Sequence, residues 1–191
     1  MAKKYKPMKR LVKLLILSDL LIYFGLGLTS NILAIFIKDN LGGTILLAGF
    51  ATALFLFIKS ILQLVFSKIF SARHRLPMVM AGSLLISITP FVYAYSTAVW
   101  HLLMAQAIYG LGAGLTAPAW MNMFIKNVSK ERPGFEWSIY STTVSLGIAI
   151  AAYLGAWMVE MTGFRTVFLL SGIFGIIGTL MLLRLSNEKI K

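Results

Sequence analysis

Long apolar runs, each broken by a short polar stretch, set the pattern of this chain. The runs cover Leu14–Ile37, Ile45–Phe66, Pro77–Tyr95, Val99–Ile125, Trp137–Val159 and Thr166–Leu183. Each is close to or longer than the ~20 apolar residues that an α-helix needs to cross the hydrocarbon core of a bilayer. Between them stand KDNLGG, SKIFSARHR, STA, KNVSKERPGFE and EMTGFR, all short and mostly polar, several with turn-forming residues. The pattern predicts an all-α, polytopic membrane protein of six transmembrane helices in one domain, residues 1–191. The opening MAKKYKPMKR has the charge of a signal peptide's start. The apolar run after it is too long, and no small-residue cleavage site follows, so it reads as a retained first helix.

Composition agrees with the pattern. Hydrophobic residues make up 59% and charged residues 13%, against about 45–50% and about 25% in soluble globular domains. So few charges cannot cover a soluble surface. There is no cysteine, hence no disulfide framework, thiolate nucleophile or cysteine metal site. The two histidines, His74 and His101, belong to no ligand cluster, so neither metal nor cofactor is expected. No catalytic set stands at one depth, and an enzyme is not expected.

The net charge of +12 would suit nucleic acid if it were spread along the chain, but it is sorted. Lys3, Lys4, Lys6, Lys9, Arg10 and Lys13 precede the first span. Lys68, Arg73 and Arg75 follow the second, Lys126, Lys130 and Arg132 the fourth, and Arg184, Lys189 and Lys191 the sixth. These are fifteen of the 18 basic residues, all on one side if every run crosses. Positive flanks stay cytoplasmic. Both termini are therefore expected inside, in a cell (inner) membrane, with the basic residues beside anionic lipid. Tryptophan offers a second ruler. Trp100 and Trp120, and likewise Trp137 and Trp157, are 20 residues apart, about 30 Å along a helix. Tryptophan favours both membrane interfaces, so each pair is expected to mark the two ends of its span.

The chain also echoes itself. GLGLT (Gly25–Thr29) in the first span returns as GAGLT (Gly112–Thr116) in the fourth, and FIK (Phe36–Lys38) as FIK (Phe124–Lys126), offset by 87 and 88 residues. The first span runs outward and the fourth inward, so the copies are inverted, as in transporters built from inverted three-helix repeats. Chance is the rival, since Gly and Leu are common. The expected repeats are about 11–96 and 97–186, and on the 87 offset Asp19 corresponds to Gln106.

Candidate chemistry follows from polar residues in apolar runs. A charged group at bilayer depth costs at least ~2.5–3.5 kcal/mol, so Asp19 is expected to face a cavity or a partner. At 100° per residue Asp19, Tyr23, Gly27 and Ser30 share a face, with Asn31 at its edge. That stripe suits a substrate or proton pathway. Hydrogen-bonded helix glue is the other reading. Lys59 lies at a similar depth, so a buried Asp19–Lys59 ion pair is expected, with snorkelling of Lys59 to the interface as the alternative. An unpaired Asp19 is suited to carry a proton, which would couple transport to the proton gradient. Gln106 and Tyr109 are the expected substrate contacts of the fourth span. The string GLGAG there lacks a preceding strand and is not a dinucleotide loop. Gly112, Gly114, Gly147, Ala151 and Gly155, with Gly172, Gly175 and Gly178, suit close helix packing, within the chain or at a dimer seam. Pro90 and Pro118 suit bends or hinges.

The second half of the chain then reads AQAIYGLGAGLTAPAW, SKERPG, SIYSTTVSLGIAIAAYLGAW and TGFRTVF. This order resembles the major facilitator superfamily, with its R-x-x-x-G-x-G-x-G in helix 4, E-R-x-G before helix 5, G-x-x-x-G-P-x-x-G-G in helix 5 and G-W-R-x-x-F entering helix 6. SKIFSARHR (Ser67–Arg75) resembles its basic loop G-x-L-x-D-R-x-G-R-R between helices 2 and 3. The resemblance covers essentially the whole chain. It implies a cytoplasmic gating loop at Ser71, Arg73 and Arg75, although Ser71 stands where the family has the Asp that clamps the gate. Positive-inside anchoring is the bland reading of those arginines. Gln106 stands where helix 4 often has Arg, and Ala151 and Ala152 replace the Gly-Pro of helix 5.

Family members have two six-helix halves, and this chain resembles one, the N-terminal half. The resemblance implies a subunit that moves a small solute by alternating access, as a homodimer or as a heterodimer with another six-helix half. The rival is a non-transporting membrane module that packs against another membrane protein. The expected partners are the lipid bilayer, a small-molecule substrate and that second half, with no nucleic acid.

Overall fold

The computed structural model describes residues 7–69 and 74–187. The described residues form α1 Arg10–Ser30, α2 Leu33–Leu41, α3 Ile45–Ile69, α4 Arg75–Ala94, α5 Val99–Asn127, α6 Pro133–Thr162 and α7 Phe164–Met181, followed by a 3-10 segment Leu182–Asn187. Six of these helices are long and apolar enough to span a membrane. The fold is all-α and polytopic, as the apolar runs predict.

The first run differs from expectation in one respect. It is not one helix through Ile37 but breaks at Asn31–Ile32 into α1 and the short α2. Just before the break, the Thr29 hydroxyl donates to the Leu26 carbonyl at 2.9 Å and the Ser30 hydroxyl to the Gly27 carbonyl at 3.0 Å. Such back-bonding competes with the backbone ladder and bends helices. The other ends follow ordinary rules. Gly42 ends α2 at φ 64°, and Gly163, at φ 81°, is the whole connection between α6 and α7. Both conformations favour glycine.

The packing order is not the chain order. Going around the bundle, α3 packs on α5, α5 on α4, α4 on α7, α7 on α1 and α1 on α6. α3 and α6 close the two ends of this open arc. Of α3 only Ala51 is buried. These principal neighbours are unchanged when α1, α3 and α4 are exchanged with α5, α6 and α7.

Glycines set the close seams. A methyl added at Gly25 would meet Ser171 of α7, and one at Gly27 would meet Ile148 and Ala151 of α6. A methyl at Gly112 would meet Gly82 and Leu85 of α4, and one at Gly114 would meet Leu62 and Lys59 of α3. Gly147 and Gly155 lie against Leu20 and Leu28 of α1, and Gly172 and Gly175 against Phe91 and Ser87 of α4. Gly178 lies against Ser18 and Ile22 of α1. All of these seams are within the chain. Hydroxyls stitch the same seams. Ser18 donates to the Gly178 carbonyl at 2.7 Å, Ser171 to the Gly25 carbonyl at 2.6 Å, and Ser87 and Thr179 meet at 3.1 Å. Without a hydrophobic force between helices in lipid, such small-residue contacts and hydrogen bonds drive association.

Two apolar cores cap the bundle. At the end where α1 begins, Leu11, Leu15, Val79, Trp120, Met123 and Leu182 pack together. At the opposite end Leu28, Ile32, Phe36, Tyr93, Leu102 and Phe168 do so, with Phe36 and Phe168 edge-to-face at 5.0 Å. The site lies on the concave side between them.

Candidate functional site

Two chambers follow one another along the concave face. The inner one, about 360 Å³, lies toward the end where α1 begins. Asp19 and Tyr23 enter it from α1, Phe55 and Lys59 from α3, Ser83 from α4, Tyr109, Thr116 and Trp120 from α5, and Trp137 and Tyr140 from α6. The outer one, about 260 Å³, holds Ser30, Thr52, Tyr93 and Gln106. Tyr23, Leu26, Phe55 and Tyr109 line both. Phe55 and Tyr109 stack at 4.1 Å, with ring planes 11° apart, and so form part of the wall between the chambers.

The chemistry differs between the two. Asp19 and Lys59 are the charged side chains of the inner chamber, whereas the outer lining is uncharged. Asp19 is buried, and its Oδ2 accepts a hydrogen bond from the Tyr140 hydroxyl at 3.0 Å. Tyr140 is held in an aromatic cluster, 4.6 Å from Trp120 and 5.2 Å from Trp137. The Lys59 ammonium lies 5.9 Å over the Phe55 ring. The expected Asp19–Lys59 ion pair therefore gives way to two separate contacts lining one chamber. The reason is topology. The principal neighbours of α1 are α6 and α7, not α3, so the helix next in sequence does not supply Asp19's partner. Two buried polar atoms of residues in the inner lining, Thr116 Oγ1 and Trp120 Nε1, have no hydrogen-bond partner among the described residues. A buried donor left unmet costs about 1–3 kcal/mol, and Thr116 Oγ1 lies against Gly82 at the α4–α5 seam.

The other expected residues distribute as follows. Tyr23, Ser30, Gln106 and Tyr109 line the outer chamber, and Tyr23 and Tyr109 the inner one as well. Asn31 lines neither; it sits at the helix break, within 3.5 Å of the Ser30 hydroxyl. Ser71 and Arg73 lie outside the described residues, and Arg75 is the first residue of α4. Trp120 corrects the tryptophan ruler. It is buried, stacked on Phe124 at 5.1 Å and turned into the bundle, while Trp100, Trp137 and Trp157 are exposed. Spacing along a helix gives depth, not direction, and Trp120 faces the concave side.

Sequence reasoning missed Tyr140, Trp137, Phe55 and Thr116 as lining residues. Trp137 and Tyr140, three apart on α6, formed a visible aromatic pair on one face. Tyr140 meets Asp19 from 121 positions away, and no local pattern encodes that. Among the described residues no group of three His, Asp or Glu is placed to hold a metal.

Comparison with known proteins gives the site a setting. The chain is 27% identical over 146 residues to the multidrug resistance protein MdtH of Photorhabdus laumondii, covering 76% of this chain and 36% of that one. It is 29% identical over 140 residues to the multidrug resistance efflux pump PmrA of Streptococcus pneumoniae, 71% of this chain and 35% of the other. An MFS-type transporter of Methanocaldococcus jannaschii is 24% identical over 138 residues, 72% and 36% of the two chains. The chain thus spans a little over a third of the length of these relatives. Its fold matches the crystal structure of a peptide transporter, POT, with a TM-score of 0.79 at 19% identity, over 94% of this chain and 38% of that one. The family model of the Major Facilitator Superfamily matches residues 15–191, and on that match the chain belongs to this superfamily of multi-pass membrane proteins.

Proposed function

We propose that the chain is one six-helix half of a secondary transporter, moving a small solute by alternating access along the chambers of its concave face. The observation that carries this reading is the recurrence of polar and aromatic side chains among the apolar ones that line both chambers, from Asp19 and Tyr140 to Ser30 and Gln106. Polar groups in a span are costly unless they face water, a solute or one another. The half works with a second six-helix half facing its concave side, either a second copy or another unit.

Two inverted repeats, about 11–96 and 97–186, are part of the proposal. The exchange symmetry of helix neighbours supports them. So do the matched glycines: Gly25 and Gly112 face α7 and α4, while Gly27 and Gly114 face α6 and α3. The basic residues support an inner-membrane location with both termini cytoplasmic. The inner chamber then opens toward the cytoplasmic end, and Asp19 is the proton-carrying group of a proton-coupled cycle. Arg75, with Ser71 and Arg73, belongs to the gating loop in this reading.

The names of the relatives suggest the first solutes to try. Liposomes holding the purified full chain are loaded with ethidium or a labelled dipeptide, and flux is followed with and without a proton gradient. Gradient-dependent flux of either solute is expected. A stable monomer that moves neither, alone or with a candidate second half, contradicts the proposal.

A further inference from the structure

The outer chamber holds a buried amide with nothing of the described protein to bond to. Gln106 of α5 lines it and is 4% exposed, yet its side chain meets no hydrogen-bond partner among the described residues. Tyr93 of α4, 3% exposed, lines the same space, and its hydroxyl is likewise unpartnered among them. The unpartnered side-chain atoms sealed inside the packing of the described residues are Thr116 Oγ1 and Trp120 Nε1. The polar ends of Gln106 and Tyr93 are not sealed in this way and keep access to the chamber. Buried polar groups are ordinarily paired, because an unmet one gives up its bond to water for nothing. Gln106 thus offers both a donor and an acceptor to whatever enters.

The lining decides what that is. The described lining of the outer chamber is uncharged, so a lone ion would shed its water there without a counter-charge. A polyol is poorly served too. It carries a hydroxyl on most of its carbons, whereas the Thr29, Ser30 and Thr52 hydroxyls already donate to the Leu26, Gly27 and Ala48 carbonyls. Leu26, Leu33 and Ile148 add apolar surface to the same space. A carboxamide fits. It is uncharged and sets a donor beside an acceptor in one plane, so it can pair with the Gln106 amide through two hydrogen bonds. Phe55 and Tyr109, stacked at 4.1 Å, form one wall and suit a flat apolar body next to that amide.

We propose that the outer chamber is a subsite for an uncharged carboxamide carried on a flat apolar body, and that Gln106 is the residue that selects it. The inference rests on the transport reading for the chamber's being a solute path, but its test reads binding and needs no flux. Benzamide, benzoate and benzamidinium share one shape and differ in charge. Benzamide is titrated against the purified full chain in detergent by saturation-transfer NMR near neutral pH, with empty micelles as the background. Bound benzamide is expected to resist displacement by equimolar benzoate or sorbitol. Gln106→Leu should weaken benzamide binding about tenfold, the worth of one to two neutral hydrogen bonds. Gln106→Glu, equal in size, should weaken benzamide and strengthen benzamidinium, a reversal that a merely structural role does not produce. Thermal melting reports whether each variant is folded, and the glutamate variant carries the test if the leucine one is not. Displacement of benzamide by equimolar benzoate or sorbitol overturns the proposal. So does benzamide binding that is absent from the parent chain, or unchanged in the folded variants. Benzamide selection without liposome flux counts against the transport reading and leaves the subsite standing, whereas flux without that selection does the reverse.

Discussion

Asp19 is held by Tyr140, and that pairing decides what single substitutions should do. Asp19→Asn keeps an oxygen that can accept the Tyr140 hydroxyl but removes the charge and the exchangeable proton. Its expected outcome is a folded protein whose uptake loses its dependence on the proton gradient, checked by comparing liposome flux with and without an imposed gradient. Unchanged uptake together with unchanged pH dependence would remove Asp19 from the mechanism. Tyr140→Phe leaves the carboxylate without its donor among the described residues. It should cost about 1 kcal/mol of stability, read as a lowered melting point in detergent, and should impair flux as well. Lys59→Met tests the separation of the two charges. Because Lys59 contacts the Phe55 ring rather than Asp19, this change should leave Asp19-dependent coupling in place, whereas a true ion pair would make the two substitutions strongly non-additive.

At the scale of helices, the seams depend on the absence of side chains. A methyl at Gly155 would press on the Leu28 backbone, which cannot turn aside as a flexible side chain can. Gly155→Val should therefore destabilise by about 1–3 kcal/mol, as overpacking does. Gly49 of α3 has nothing within reach of an added methyl, so Gly49→Ala should be neutral or stabilising in the same melting assay. The helices themselves were legible in the sequence, because a run of apolar residues states its length directly. Their neighbours were not. The break at Asn31–Ile32 depends on hydroxyls turning back on the backbone, without a proline to mark it. Trp120 was assigned to the membrane surface by its spacing, yet it faces inward because α5 packs between α3 and α4. The stripe Asp19–Tyr23–Ser30 was legible because helical periodicity fixes a face. Its partner Tyr140 was not, because the contact joins the first and fifth spans.

For the whole molecule, the charge distribution and the arc of helices point the same way. Reporter tags at the two termini should both report a cytoplasmic location; a periplasmic signal at either one would contradict six crossings with the basic flanks inside. The concave face carries the central claim, that solute and water pass along the two chambers. The chain has no cysteine, so single cysteines can be placed in an otherwise unreactive background. Ala113 and Ala117 line the inner chamber, while Ile173 and Ile177 lie on the exposed outer face of α7. The most direct measurement is labelling of Ala113→Cys, Ala117→Cys, Ile173→Cys and Ile177→Cys by a water-soluble maleimide in membrane vesicles. Labelling at 113 and 117 with protection at 173 and 177 is the result predicted; protection at all four, or labelling at 173 and 177 instead, would contradict a water-filled pathway on the concave face.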